Sequence, residues 1–99
     1  MTDFKKLERI HKSVANRRRL AIVAHLKKKK EESVGKIAAH IKLSLKATSR
    51  HLSILLSTDV VEKNQRKTEV FYRLATPLHP VVSETLHHLQ YLFSSALMI

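Results

Sequence analysis

The sequence predicts a mainly α-helical chain with one small β-hairpin, in the order α-α-α-α-β-β-α, a winged helix-turn-helix. Three observations predict it. Apolar residues recur at helical spacing in four segments before residue 58. Between 60 and 74 the pattern changes to β-branched and aromatic residues in alternation, and helical spacing resumes at 80. With 99 residues, the chain fits one domain, expected to span 1–99.

The first helix is expected over 4–14, with Phe4, Leu7, Ile10 or His11, and Val14 on one stripe. Asn16 is a candidate N-cap for a second helix running to about Lys28, whose apolar members are Leu20, Ile22, Val23 and Leu26. The lysines at 27–30 suit a helix C-terminus, where cations meet the negative end of the dipole. Ser33 caps a third helix to about His40, with Val34, Ile37, Ala38 and Ile41 at i, i+3, i+4 and i+7. A turn over Ile41–Leu43 leads to Ser44, the cap of a fourth helix ending near Ser57. Its inner stripe is Leu45, Thr48, Leu52 and Leu55. Two strands follow, Val60–Lys63 and Val70–Leu74, with Asn64, Gln65, Arg66 and Lys67 at the hairpin tip. Asn64 is the expected residue of positive φ there, since glycine is missing from the tip. Thr76 and Pro77 break the strand pattern, and Pro80 fits the first turn of a last helix over 80–97.

Charge separates two jobs along the chain. All 19 Lys and Arg lie between Lys5 and Arg73, against 8 Asp and Glu overall, for a net charge of +11. From Leu74 onward the only formally charged side chain is Glu84. A basic globular face attracts polyanions, so a nucleic acid is the expected partner, with mere solubility or an anionic membrane surface as alternatives. The helix-turn-helix candidate at 33–57 makes that nucleic acid double-stranded DNA. Hydrophobic residues at 43% suffice for a core, which excludes a disordered basic tail. Cysteine is absent, which excludes disulfides, thiolate metal sites and thiol catalysis. A single glycine disfavours a Gly-rich phosphate loop, and the carboxylates form no acid–base–nucleophile motif. The expectation is a non-enzyme without a cofactor, with no membrane span and no signal-peptide core, working in the cytoplasm at the nucleoid.

The segment 33–57 is the helix-turn-helix candidate. A major groove admits one helix if that helix packs one face on its domain and offers a small, polar opposite face. Ser44–Ser57 has that division. Lys46 and Arg50 lie one helical turn apart, and Ala47 and Ser49 allow close approach. The hairpin over 60–74 would be a wing lying on the backbone or in the minor groove. His51 is expected either to pack or to read a base. Arg17, Arg18 and Arg19 are expected either to contact phosphates or to pair with Asp59, Glu62 or Glu69.

The stretches ANRRRLAIVAHL (15–26), SVGKIAAHIKLSLKATSRHLSILL (33–56) and VFYRL (70–74) resemble the winged helix-turn-helix core of the ArsR-type, or arsenical-repressor-like, transcriptional regulators. The resemblance implies a homodimeric, sequence-specific DNA-binding repressor, in which an unknown effector would release DNA. It places base reading at Leu45, Lys46, Ser49 and Arg50. Backbone and wing contacts are expected from Lys42, Ser44, Ala47, Gln65, Arg66 and Lys67. The first and last helices would form the dimer interface, with Phe4, Leu7, Leu86, Leu89, Leu92, Phe93 and Leu97 as its apolar residues. Exposed on a monomer, such residues would make an apolar patch that soluble monomers rarely carry.

Metal sensing is not expected. The family's thiolate pair on the third helix maps to Ser33 and Gly35, neither a ligand. His79, Glu84, His87 and His88 could build half a zinc site at i, i+3 or i, i+4 spacing, but the family's His-x-x-Glu order is missing. The alternative function is a winged-helix protein-interaction or architectural module that binds DNA only non-specifically.

Overall fold

The computed structural model describes the backbone of residues 2–98 and the side chains of residues 3–92. Helices α1 (Thr2–Val14), α2 (Arg17–Lys29), α3 (Val34–Ile41) and α4 (Leu45–Ser57) are followed by strands and a last helix, α5 (Pro80–Met98). The strands are β1 (Glu32–Ser33), β2 (Val61–Arg66) and β3 (Glu69–Leu74), in the spatial order β1-β3-β2 and antiparallel throughout.

Each of the three expected caps is formed. Asn16 accepts from the amides of Arg18 and Arg19 at 2.9 and 3.1 Å, Ser33 from Lys36 at 3.4 Å, and Ser44 from Ala47 at 3.1 Å. Amides left over in the first turn of a helix need such acceptors, so short polar residues fix where α2, α3 and α4 begin. The helix ends are set differently. Lys30, Lys42 and Asp59 take left-handed φ of 72°, 58° and 56°, where glycine is the usual occupant. At Lys42 the reversal is a double one: its amide reaches Ala39 and the next amide, Leu43, reaches back to Ala38. This leaves three residues, Lys42–Ser44, between α3 and α4.

One apolar core joins the elements. Ile22, Ile37, Leu52 and Leu55 are wholly buried, with Ile10 of α1, Val61 and Tyr72 of the sheet, and Val82 and Leu86 of α5 around them. On the first helix the stripe is completed by Ile10, while His11 is exposed.

Three expectations are corrected. β1 was not expected as a strand. It forms because Glu32 and Ser33 pair with Tyr72 and Phe71, roughly forty positions along the chain. The hairpin tip lies further on than 64–67: Asn64 sits in β2 opposite Phe71, and the last pair is Arg66 with Glu69. The turn is therefore Lys67–Thr68, and Lys67, not Asn64, takes the positive φ, 56°. Leu86, expected at the dimer interface, is 4% exposed and packs into the chain's own core. It has no surface left to give a second copy.

Candidate nucleic-acid interface

Helix α4 divides as a groove-reading helix must. Thr48, Leu52 and Leu55 face inward and are fully buried, while Ser44, Leu45, Lys46, Ser49 and Arg50 are exposed. Leu45, placed on the inner stripe by periodicity and on the reading face by resemblance, is 57% exposed and so lies outside. Ala47 is half-buried, flanking the exposed side chains. Lys42 stands exposed in the tight turn just ahead. One short arc at the start of α4 thus carries two cations, three hydroxyl- or methyl-sized side chains and one leucine. Arg or Lys reads guanine edges, and an apolar group meets a thymine methyl. The free amides at the start of α4, next to Ser44, favour a phosphate.

The helix is fastened from behind by α2. Arg18 donates through Nη1 to the Ile41 carbonyl at 2.9 Å, holding the end of α3. Arg19 donates through Nε to the Ser13 carbonyl, and its Nη1 lies 3.1 Å from Nδ1 of His51 on α4. Neither arginine pairs with Asp59, Glu62 or Glu69: Glu62 is bound by Arg73 at 2.9 Å. His51 is half-buried. Its pKa lies below the ordinary 6.5 because burial, then the Arg19, Arg18 and Arg50 charges, disfavour the imidazolium.

The wing carries fewer available cations than its sequence suggests. Arg66 is drawn back to Glu31 at 2.6 Å and lies over the Phe71 ring, 4.6 Å from its centroid. Gln65 and Lys67 are exposed, and among the described residues Lys67 forms no ion pair. Lys67 is therefore the tip's free charge, and Arg66 chiefly ties the wing to the α2–β1 corner.

A second exposed face is apolar. α1 packs against α5. Phe4 on α1 is 70% exposed, Leu7 is 38% exposed, and Tyr91 and Leu92 on α5 are 66% and 49% exposed. Leu89 and Leu92 line a shallow cleft of about 430 Å³ with Leu20, Glu84, Thr85 and His88. The side chains of Phe93 and Leu97, expected in the same interface, lie outside the described residues. His79 accepts the Val81 amide through Nδ1 at 3.1 Å and so caps α5, while Glu84, His87 and His88 are exposed. Among the described residues no group of three or more His, Asp or Glu side chains could hold a metal ion. Among the described residues no helix is long and apolar enough to cross a membrane.

Sequence reasoning missed the buried imidazole of His25. His25 of α2 is 8% exposed, stacks on His40 of α3 with ring centroids 4.0 Å apart, and has Nε2 3.3 Å from Glu32 of β1. Its place on the inner stripe beside Ile22 and Leu26 was the available signal.

The comparisons agree with this geometry. Residues 16–63, from the α2 cap into β2, match the model of the bacterial regulatory protein, arsR family. The chain is 36% identical over 78 residues to the transcriptional activator HlyU of Vibrio cholerae, covering 79% of this chain and 71% of that one. The structure of reduced HlyU from the same species superposes with a TM-score of 0.78 at 30% identity, covering 93% of both chains. A homodimeric winged helix-turn-helix DNA-binding domain, Mb0332 from Mycobacterium bovis, gives 0.77 at 28% identity, covering 97% of this chain and 85% of that one. The transcriptional repressor PagR of Bacillus anthracis gives 0.73 at 26% identity, covering 89% and 97%. By the family model over residues 16–63 and the relative 36% identical over most of both chains, the protein belongs to the arsR family of bacterial regulatory proteins.

Proposed function

We propose that the protein is a homodimeric, sequence-specific DNA-binding transcriptional regulator. The observation that carries this is the division of α4: a fully buried inner stripe against an outer face of Lys46, Ser49 and Arg50. Two copies would pair through α1 and α5, burying Phe4, Leu7, Leu89 and Leu92 with the outer end of α5. Each copy would then lay one α4 into a major groove, the two about 34 Å apart along one side of the duplex. Lys42 and Lys67 would take phosphates on either side of the groove. Repression is the output we favour, because occluding a promoter requires no surface beyond the DNA face. PagR is a repressor and HlyU an activator, so both outputs occur among the relatives. As a DNA-binding regulator the protein would act in the cytoplasm, on the nucleoid.

Selection of bound duplexes from a random pool, with light scattering on the free protein, tests the reading. The expected result is a palindrome with half-sites one helical turn apart, and twice the 11.4 kDa chain mass in solution. Addition of the protein should then lower transcription from a promoter carrying that palindrome. Equal affinity for selected and random DNA at physiological salt would instead indicate an architectural protein.

A further inference from the structure

His51 stands one residue past Arg50 where α2 passes behind α4. Its Nδ1 is 3.1 Å from Arg19 Nη1. A guanidinium only donates, so Nδ1 must accept, and the proton of the neutral ring then sits on Nε2. Arg19 is not free to turn away. Its Nε donates to the Ser13 carbonyl and its Nη2 reaches the Lys12 carbonyl at 3.4 Å, both at the open end of α1. The Asn16 cap fixes its own amide. On the other side of the ring, Nε2 makes no hydrogen bond among the described residues. Nor is it sealed off: among the described residues the buried side-chain polar atom without a partner is Thr48 Oγ1. The ring therefore offers an N–H to solvent on the flank of the groove-reading helix. Arg18 and Arg19 of α2 and Arg50 of α4 surround it with positive charge, and an anion is the complement.

Resting on the DNA-binding reading above, we propose that Arg19 is a positioning residue that holds His51 as its Nε2–H tautomer, and that His51 donates this hydrogen to a phosphate oxygen of the bound duplex. Burial and then the neighbouring cations disfavour the imidazolium, so the contact is a neutral hydrogen bond. It fixes how α4 sits in the groove without reading sequence.

The test has two arms. Side-chain nitrogen NMR of the free full-length protein at pH 7 should show the Nε2–H pattern at His51. In Arg19→Lys, which keeps the charge but loses the fork, the pattern should become a mixture. A Nδ1–H pattern, or one unmoved in Arg19→Lys, overturns the positioning role. In the second arm, His51→Phe should weaken selected and random duplexes alike, by about tenfold, and leave the slope of log affinity against log salt unchanged. His51→Gln, which can accept from Arg19 and still donate outward, should recover most of the loss. Thermal melts confirm that each variant folds. Wild-type binding with His51→Phe equally tight sinks the phosphate contact alone. Wild-type protein that binds no duplex sinks the contact and the functional reading together, and the spectrum still decides the role of Arg19.

Discussion

Two surfaces of this chain stand exposed for opposite physical reasons. The outer arc of α4 presents Lys46, Ser49 and Arg50, groups that water solvates well and that a polyanion binds better still. The α1–α5 face presents Phe4, Leu7, Tyr91 and Leu92, groups that water solvates poorly. Neither is needed to complete the chain's own core. The first surface gains from a partner carrying fixed negative charge, and salt weakens that gain. The second gains from any matching apolar surface, a second copy above all, and salt leaves it nearly untouched. The contrast yields separable expectations: one face should be broken by charge, the other by its removal.

The largest effect should come from putting a carboxylate into the apolar face. Leu92→Glu places a charge on a half-exposed α5 position at the proposed seam. Light scattering should report a monomer at micromolar concentration. Affinity for a palindromic site should fall by two orders of magnitude or more, roughly, since the second half-site is then bound independently. The thermal melt of the monomer should move little, because Leu92 lies outside the core cluster. An unchanged mass would remove Leu92 from the interface.

On the other face the expected loss is smaller and confined to DNA. Arg50→Ala should cost about 1–3 kcal/mol on the selected duplex, and less on random DNA, if the guanidinium reads a base. Dimer mass should stay the same. Equal losses on both duplexes would reassign Arg50 to the backbone. Lys67→Ala should do less again: a few-fold weakening shared by all sequences, with the salt slope reduced by about one unit. Arg66→Ala makes an instructive contrast to it. Because Arg66 is held by Glu31 and Phe71, that change should loosen the wing as well as remove a charge.

How far each face could be read from residues alone follows from the range of the interactions that build it. The caps at Asn16, Ser33 and Ser44 were legible because a capping hydroxyl or amide bonds two or three residues away. The division of α4 was legible because helical period alone separates Thr48 and Leu52 from Lys46 and Arg50. What escaped depends on distant partners. β1 exists only through β3, and the hairpin tip follows the ladder register, which places Asn64 opposite Phe71 and moves the turn to Lys67. Leu86 and Leu92 are both leucines on one helix. Only the packing of α5 on Leu20 and its neighbours decides that the first is core and the second surface. Arg19 likewise gave no local sign that it would choose carbonyls and His51 over the acidic residues of the sheet.

Between the two faces lies the scaffold that holds both, and acid should test it with the smallest effect. His25 couples α2 to β1 through Glu32 and to α3 through His40. Its pKa is held below the ordinary 6.5, first by burial and then by the His40 charge, with Lys29 adding to these and Glu32 opposing them. His51 is shifted the same way by burial and by Arg19, Arg18 and Arg50. A lowered folded-state pKa means that the unfolded chain binds more protons as the pH drops. The stability contributed by the neutral rings is then whole above about pH 6.5 and is lost as pH falls through their folded values. The melting temperature should accordingly hold steady at neutral pH and decline below it. Replacing His25 by Phe, which keeps a flat ring against His40 but cannot take a proton, should flatten the decline in part and leave the share due to His51. Because His25 bridges the first helix of the helix-turn-helix to the sheet that bears the wing, acid should weaken DNA binding and dimer formation together. If acid removed one activity while the other kept its neutral-pH strength, the two faces would not share the scaffold that His25 joins.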